Sequence, residues 1–247
     1  MQKVRDALIE VIIIILIGGL IGAVLAVVSN LFVIGVQWFG QQREASEMLS
    51  LTIAGDTVSF SSVIFLWAAA AVVVVLKTGL GIARWTGPAD STYAAQQVNE
   101  PLDIKTGLAS TLAAFASASG GGSVGQYGPI VHFGAAMGIW VKRFISSRLS
   151  HEIYLGCGVA AAISAGFNAP IAGVIFAHEA ILRHFSVRAI APITVASVSA
   201  SALGNQWFPQ TTTFEISSVL PPLAEVVPVL VMLAPAFALV AICFMAA

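Results

Sequence analysis

Glycine and proline residues in the middle of the chain form a pattern that can bind an anion. Residues 119–129 read SGGGSVGQYGP, with five glycines before Pro129. Glycine lets the backbone turn successive N–H groups to one side, and proline favours the first position of a helix. We therefore predict a helix that begins at Pro129 and presents N–H donors to an anion. The predicted anion ligands at this break are Gly125, Gln126, Tyr127 and Gly128.

Two further breaks repeat the arrangement. Thr86-Gly87-Pro88 adds a hydroxyl donor, and residues 166–170, GFNAP, add Asn168 before Pro170. We predict Thr86 and Gly87 as anion ligands, with helix packing by small residues as the alternative explanation. Packing is the preferred explanation at 166–170, so Asn168 and Pro170 are assigned a structural role near the pore.

Composition indicates that these breaks lie in a membrane protein. Hydrophobic residues make up 58% of the 247 and charged residues 9%, against roughly 25% charged in soluble domains. The formal net charge of −1 argues against nucleic-acid binding. Six stretches carry no charge: 11–42, 57–76, 106–141, 153–178, 189–214 and 226–247. Each can cross a bilayer core about 30 Å thick as a helix.

The pattern predicts an all-α polytopic membrane protein, a multi-pass protein of the cell membrane, with one transmembrane domain over 1–247. Lys3 and Arg5 favour a cytoplasmic N-terminus. Cys157 and Cys243 lie in apolar stretches and predict no disulfide. No metal site, cofactor or nucleotide-binding loop is expected. A polar loop is predicted over 41–57. Predicted helices cover 9–40, 59–83, 89–97, 103–118, 129–145, 152–165, 170–184, 187–203 and the apolar stretch from 226.

Several predicted helices are too short to cross the membrane alone, and their breaks fall at membrane depth. Non-helical backbone at that depth is tolerated only where it is buried in protein or lines a watery cavity. Transporters use such broken helices to direct helix termini at a solute. The breaks therefore predict a path for a small anion.

Two motifs resemble the CLC family of chloride channels and chloride/proton exchangers. Residues 125–134, GQYGPIVHFG, resemble the family's G-R-E-G-P-x-V-Q-x-G, and residues 166–179, GFNAPIAGVIFAHE, resemble F-N-A-P-L-A-G-x-x-F-x-x-E-E. The resemblance implies tilted and broken helices that form one of two inverted-topology halves, plus the start of the second. It also implies chloride or a similar anion as the transported ion, a homodimer with one pore per subunit, and Thr86 in place of a serine that contacts the anion.

The second half of such a protein supplies another anion-facing helix start, written G-x-F-x-P, and this motif is not found here. The sequence reaches Ala247 inside an apolar run. We therefore expect a truncated chain. If this fragment were all that exists, a complete pore would need a partner chain.

Departures from the family motifs bear on proton coupling. The resemblance implies a proton-carrying glutamate at the position of Tyr127 and a second at Ala180, with Glu179 matching the glutamate before it. Neither proton position is acidic here. We therefore predict passive anion conduction with Tyr127 as the pore gate, and a proton-coupled exchanger as the alternative. Glu179 is expected near the pore or paired with Arg183 on the next helical turn.

Two interpretations from other functional classes, a cation channel and an enzyme, remain open. Residues 123–128, SVGQYG, are similar to the potassium filter T-V-G-Y-G, but Gln126 breaks its register. Ser123 with His132 or His178 could form an intramembrane serine hydrolase, but no third, orienting acid is evident. The chain is not expected to be an enzyme.

Overall fold

The computed structural model describes residues 2–46, 50–53, 56–97, 102–125, 127–145, 149–208 and 223–246. It divides into two units, 1–209 and 210–247. The second unit contains one described helix, α9 (Leu223–Ala246). Whether 1–247 acts as a single transmembrane domain stays a prediction.

The first unit is almost entirely helical. Its helices are α1 (Gln2–Ala45), α2 (Ser61–Gly79), α3 (Pro88–Gln96), α4 (Ile104–Ser119), α5 (Tyr127–Lys142), α6 (His151–Phe167), α7 (Pro170–Phe176) and α8 (Val187–Trp207). Two four-residue strands, β1 (Ser50–Ile53) and β2 (Asp56–Ser59), pair antiparallel between α1 and α2. Within the described residues, Val11–Ala45, Ser61–Gly79 and Val187–Trp207 are long and apolar enough to cross a membrane. The predicted all-α architecture of long and broken helices is confirmed.

Three local predictions are wrong. The polar loop expected over 41–57 contains the end of α1 and most of the small hairpin. Helix α5 begins at Tyr127, so Pro129 is its third residue and not its first. Both positions suit proline, because the first four N–H groups of a helix have no partner within it.

The third correction concerns residues 170–184, which were predicted as a single α-helix. The α-helical part ends at Phe176 and a π-helical turn follows over Ala177–Leu182. Arg183 then adopts a left-handed conformation with φ 58° and ends the helix. A π-turn pairs residues five apart, so Glu179 and Arg183 lose the spacing that brings side chains four apart together. No ion pair joins these two residues.

Helix α6 lies at the centre of the first unit. Its residues Ile153–Ala165 are all buried, as expected for a helix that is apolar on every side. Helices α5, α8, α1 and α7 pack around it. The breaks before α5 and α7 therefore lie next to a continuous buried helix.

Glycines allow α5 and α6 to touch through their backbones. A Cβ on Gly134 or Gly138 of α5 would overlap the carbonyl groups of Gly158 and Tyr154 on α6, and a Cβ on Gly158 would overlap Gly134. Gly18 and Gly22 of α1 similarly abut α8, where a Cβ on Gly22 would lie 2.8 Å from the Ala196 carbonyl oxygen. Both pairs have the four-residue spacing of glycines that mediate close packing of membrane helices.

Replacing Gly138 with Ala is expected to destabilise the first unit by about 1–3 kcal/mol, because the added methyl group must push α5 away from α6. The matched control is Gly19→Ala in α1, where a Cβ would meet no atom within 4 Å. The control should leave stability unchanged or raise it, because alanine has the higher helix propensity. Thermal unfolding of both purified variants in detergent measures the difference. Equal unfolding midpoints for the two variants would contradict the packing described here.

Candidate functional site

The beginnings of three short or broken helices meet at one cavity. Pro88 starts α3, Tyr127 and Gly128 start α5, and Ala172 lies in the first turn of α7. All four line a cavity of about 440 Å³. Its other lining residues are Val131, Ile163, Phe167 and Phe176. The structure thus brings the predicted breaks together around a mostly apolar space.

The starts of α3 and α5 are in direct contact. A Cβ on Gly128 would lie 3.4 Å from Cγ of Pro88. Helix α4 holds the start of α5 from another side, since the Thr111 hydroxyl donates to the Pro129 carbonyl oxygen at 3.0 Å and to the Gly107 carbonyl oxygen at 2.9 Å. Thr111 was not predicted as a site residue, because one hydroxyl within an apolar helix carries no local signal.

Two backbone donors at the cavity have no partner. Within the described part of the chain, the N–H groups of Gly128 and Ala172 form no hydrogen bond. Each lies in the first turn of its helix, where N–H groups point out of the helix end and carry its partial positive charge. These donors can bind a negatively charged or electron-rich ligand. Gly128 was predicted as an anion ligand, and Ala172 was not.

The glycine run before α5 has two roles. The N–H groups of Gly120, Gly121 and Gly122 donate back to carbonyl oxygens of Ala116, Ala118 and Ser117, so this part ends α4. Gly121 has φ +95°, a conformation that favours glycine. The first three glycines of the run, which were not among the predicted anion ligands, therefore end α4.

The predicted anion ligands Gly125 and Gln126 follow in the later part of the glycine run. Gly125 is exposed and its N–H has no partner among the described residues. Gln126 lies outside the described residues. Anion binding at either residue stays a prediction.

Tyr127 lies between the start of α5 and the end of α6. Its hydroxyl donates to the Gly166 carbonyl oxygen at 3.3 Å, and its ring stacks on Phe167 with centroids 3.9 Å apart. Gly166 makes room for the ring, since a Cβ there would lie 2.8 Å from Cε1 of Tyr127. The half-buried ring forms part of the cavity wall. Its role as a gate stays a prediction.

The start of α3 differs from the prediction. The Thr86 N–H donates to Ser110 Oγ at 3.1 Å, and the Gly87 N–H donates to Asp90 Oδ2 at 2.8 Å. The Thr86 hydroxyl lies 3.2 Å from Ser110 Oγ. Both amides are engaged, so the expectation of exposed amide donors at this break is wrong, whereas anion binding by the Thr86 hydroxyl stays a prediction.

Asp90 places a negative charge at the start of α3. Its carboxylate accepts from Gly87 and also pairs with Arg84. An acidic residue three positions after the helix cap is a known partner of the cap N–H. That spacing is present in the sequence, where Asp90 follows Gly87 by three residues, and it could have identified this contact.

Helix α8 holds the break between α6 and α7. Asn168 ends α6 in the left-handed conformation with φ 51°, and its Oδ1 accepts from Ser201 Oγ at 2.7 Å. Pro170 is the first residue of α7, as predicted, and its carbonyl oxygen accepts from Ser197 Oγ at 2.7 Å. Ser164 Oγ in turn donates to the Ser197 carbonyl oxygen at 2.6 Å. These contacts fix the break between α6 and α7, and the near-pore role of Asn168 and Pro170 stays a prediction.

Glu179 and Ala180 lie in the π-helical turn, and both are exposed. Neither lines the cavity of about 440 Å³. The Ala180 carbonyl oxygen is 3.5 Å from the Thr92 hydroxyl of α3, and Gln96 donates to the Leu182 carbonyl oxygen at 3.1 Å. Gln96 of α3 therefore satisfies the Leu182 carbonyl group of this turn. Ala180 as the position of a lost proton relay stays a prediction.

Neither of the two buried histidines is hydrogen-bonded to Ser123, the nucleophile of the serine-hydrolase hypothesis. Nδ1 of His132 lies 2.8 Å from Ser91 Oγ, and Nδ1 of His178 lies 3.1 Å from the His184 carbonyl oxygen. Ser123 is exposed and has no contact with either histidine. Among the described residues, the hypothesis therefore lacks its hydrogen bond between Ser123 and a histidine base, and the serine that pairs with His132 is Ser91.

Comparison with known proteins agrees with the motifs. A family profile described as voltage gated chloride channel matches residues 68–247. The chain is 26% identical over 140 residues to a putative chloride channel protein ClcB-like from Ralstonia nicotianae, covering 55% of this chain and 33% of the relative. It is 22% identical over 198 residues to a voltage-gated ClC-type chloride channel ClcB from Yersinia pseudotuberculosis, covering 76% of this chain and 45% of the relative.

A solved structure has the same fold. The crystal structure of a CLC-type fluoride/proton antiporter superposes with a TM-score of 0.65 at 20% identity, covering 90% of this chain and 54% of that one. The chain spans between a third and a half of the length of the two curated relatives above. Because the family profile covers most of the chain and the fold agrees with it, the chain belongs to the voltage gated chloride channel family.

Proposed function

We propose that this chain supplies part of a transmembrane path for chloride or a similar small anion, and that the anion passes without coupled proton movement. The observation that carries the proposal is the cavity of about 440 Å³ between helix starts. There the N–H groups of Gly128 and Ala172 have no partner within the described residues. They supply donors of the kind that bind anions at helix N-termini.

The surroundings of these donors favour a mobile anion. The lining is mainly apolar, and in a region of low dielectric constant the helix dipoles act more strongly than in water. Among the described lining residues none is charged. An anion is therefore attracted by partial charges alone, and it can leave again, as conduction requires.

The absence of acidic side chains at the two motif positions supports passive conduction. Tyr127 and Ala180 occupy the positions that the motif comparison assigns to proton-carrying glutamates. Tyrosine ordinarily titrates at about pH 10 and alanine does not titrate. The competing proposal is proton-coupled exchange, because the similar solved structure is that of a fluoride/proton antiporter.

The proposed assembly is a homodimer in the cell membrane. The homodimer is the assembly that membership of the family suggests, with one anion path in each subunit. Light scattering of the detergent-solubilised chain should give a protein mass near twice 25.6 kDa. A monomer mass at all protein concentrations tested would contradict the dimer.

Replacing Tyr127 with Ala is expected to raise chloride flux by about tenfold, equivalent to about 1.4 kcal/mol off the barrier, because it removes the ring from the cavity wall. Tyr127→Phe is the matched control. It keeps the ring that stacks on Phe167 and removes the hydroxyl that donates to the Gly166 carbonyl oxygen, so its flux should stay close to that of the unmodified chain. Chloride efflux from liposomes measures both variants. Equal flux and equal anion selectivity in Tyr127→Ala and the unmodified chain would refute the gate.

The current carried by the reconstituted chain is expected to reverse at the chloride equilibrium potential, whatever the pH gradient. Planar bilayer recordings with separate chloride and pH gradients measure this. Uphill proton movement driven by chloride at a fixed stoichiometry would instead establish exchange. Reversal at the potassium equilibrium potential would establish a cation channel.

Tyr127→Glu restores a carboxyl group at the gate position and serves as the comparison variant. Its flux should rise as pH falls, because protonation removes the negative charge that repels the anion. The unmodified chain should change less over the same pH range. A Tyr127→Glu flux that is independent of pH would place residue 127 away from the ion path.

A further inference from the structure

A second cavity lies between α1, α2 and α4, and it shares no lining residue with the first. Its volume is about 450 Å³. Its walls include Phe39 of α1, Val72 of α2, and Leu112 and Phe115 of α4. Every lining residue is apolar except Ser119. The proposed anion path uses none of these residues.

Ser119 supplies a buried hydroxyl in this apolar wall. It is the last residue of α4 and is 7% exposed. Its Oγ has no hydrogen-bond partner among the described residues, although a buried hydroxyl without a partner is unfavourable. Ser117, two residues earlier, donates to the Ala113 carbonyl oxygen at 2.9 Å. Of these two hydroxyls near the end of α4, the one that lines the cavity is the one without a partner.

Helices α2 and α4 are in contact at the Ser119 end of the cavity. A Cβ on Gly120 would lie 2.9 Å from the Phe65 carbonyl oxygen and would overlap Ala69. Farther along, Val72 is 47% exposed and Leu112 is 42% exposed. Helix α2 is one of the candidate membrane spans and most of its apolar surface is exposed. The cavity is thus open to the surface that lipid would contact.

We propose that this cavity binds an uncharged, membrane-soluble molecule with an apolar body and one terminal hydroxyl, of the class of aliphatic alcohols. The apolar body fills the space between the three helices, and the terminal hydroxyl pairs with Ser119 Oγ. A charged group is disfavoured, because the described lining offers no opposite charge and burying an unpaired charge is costly. A purely apolar chain would leave Ser119 unpartnered.

The test uses octanol that carries a photoreactive diazirine, with the purified full chain in lipid nanodiscs and peptide mapping by mass spectrometry. The expected crosslinks lie on the cavity-lining residues of α2 and α4, and excess unlabelled octanol should abolish them. Ser119→Ala should lower the apparent affinity by about fivefold, the effect of losing one hydrogen bond. Ser117→Ala is the matched control and should leave labelling unchanged.

A second variant tests the cavity itself. Ala68 lines the cavity and is exposed on α2, so Ala68→Phe fills the space with little effect on folding. It should abolish the competed labelling. If labelling spreads over the exposed face of α2 and does not change in Ala68→Phe, the proposal that this cavity is a binding site is overturned. If Ala68→Phe abolishes the competed labelling but Ser119→Ala leaves the apparent affinity unchanged, the assignment of an alcohol is overturned. That result would indicate a purely apolar occupant. None of these outcomes depends on ion flux, so they leave the proposed anion path untouched.

Discussion

A helix that stops within a membrane leaves N–H and C=O groups that water cannot reach, and each of these groups needs a partner. In this chain hydroxyl side chains from longer helices provide many of these partners. Thr111 and Ser110 of α4 contact the starts of α5 and α3, and Ser197 and Ser201 of α8 contact the break before α7. These contacts hold the helix starts in place. The few donors left without partners are then available for a ligand.

Close helix packing fixes where those starts meet. Gly134, Gly138 and Gly158 bring α5 against α6, and Gly18 and Gly22 bring α1 against α8. Helix α6, which is buried along most of its length, therefore forms a common support for both breaks. The cavity between Pro88, Gly128 and Ala172 follows from this support. Small residues thus contribute to the site without contacting any ligand.

Most of the helices and breaks could be predicted from charge-free stretches and from glycine and proline, because the membrane permits few alternatives. Features that depend on contacts between residues far apart in the sequence could not be predicted in this way. Pairing of Thr86 with Ser110 joins positions 24 residues apart, and the Ser197 bond to Pro170 joins positions 27 apart. The π-helical turn at Ala177–Leu182 also escaped prediction, because its residues have the same apolar pattern as an α-helix. At the site, Gly128 was identified by its motif, whereas Ala172 carries no distinguishing side chain.

The carboxylate of Asp90 distinguishes the start of α3 from the starts of α5 and α7. Asp90 accepts from the Gly87 N–H at the start of α3 and also pairs with Arg84, so a diffusing anion would have to displace a covalently attached carboxylate from that N–H. Helices α5 and α7 hold no comparable fixed anion within the described residues. In the proposed anion path, the unpartnered N–H groups therefore belong to the starts of α5 and α7, whereas the start of α3 is already occupied by Asp90.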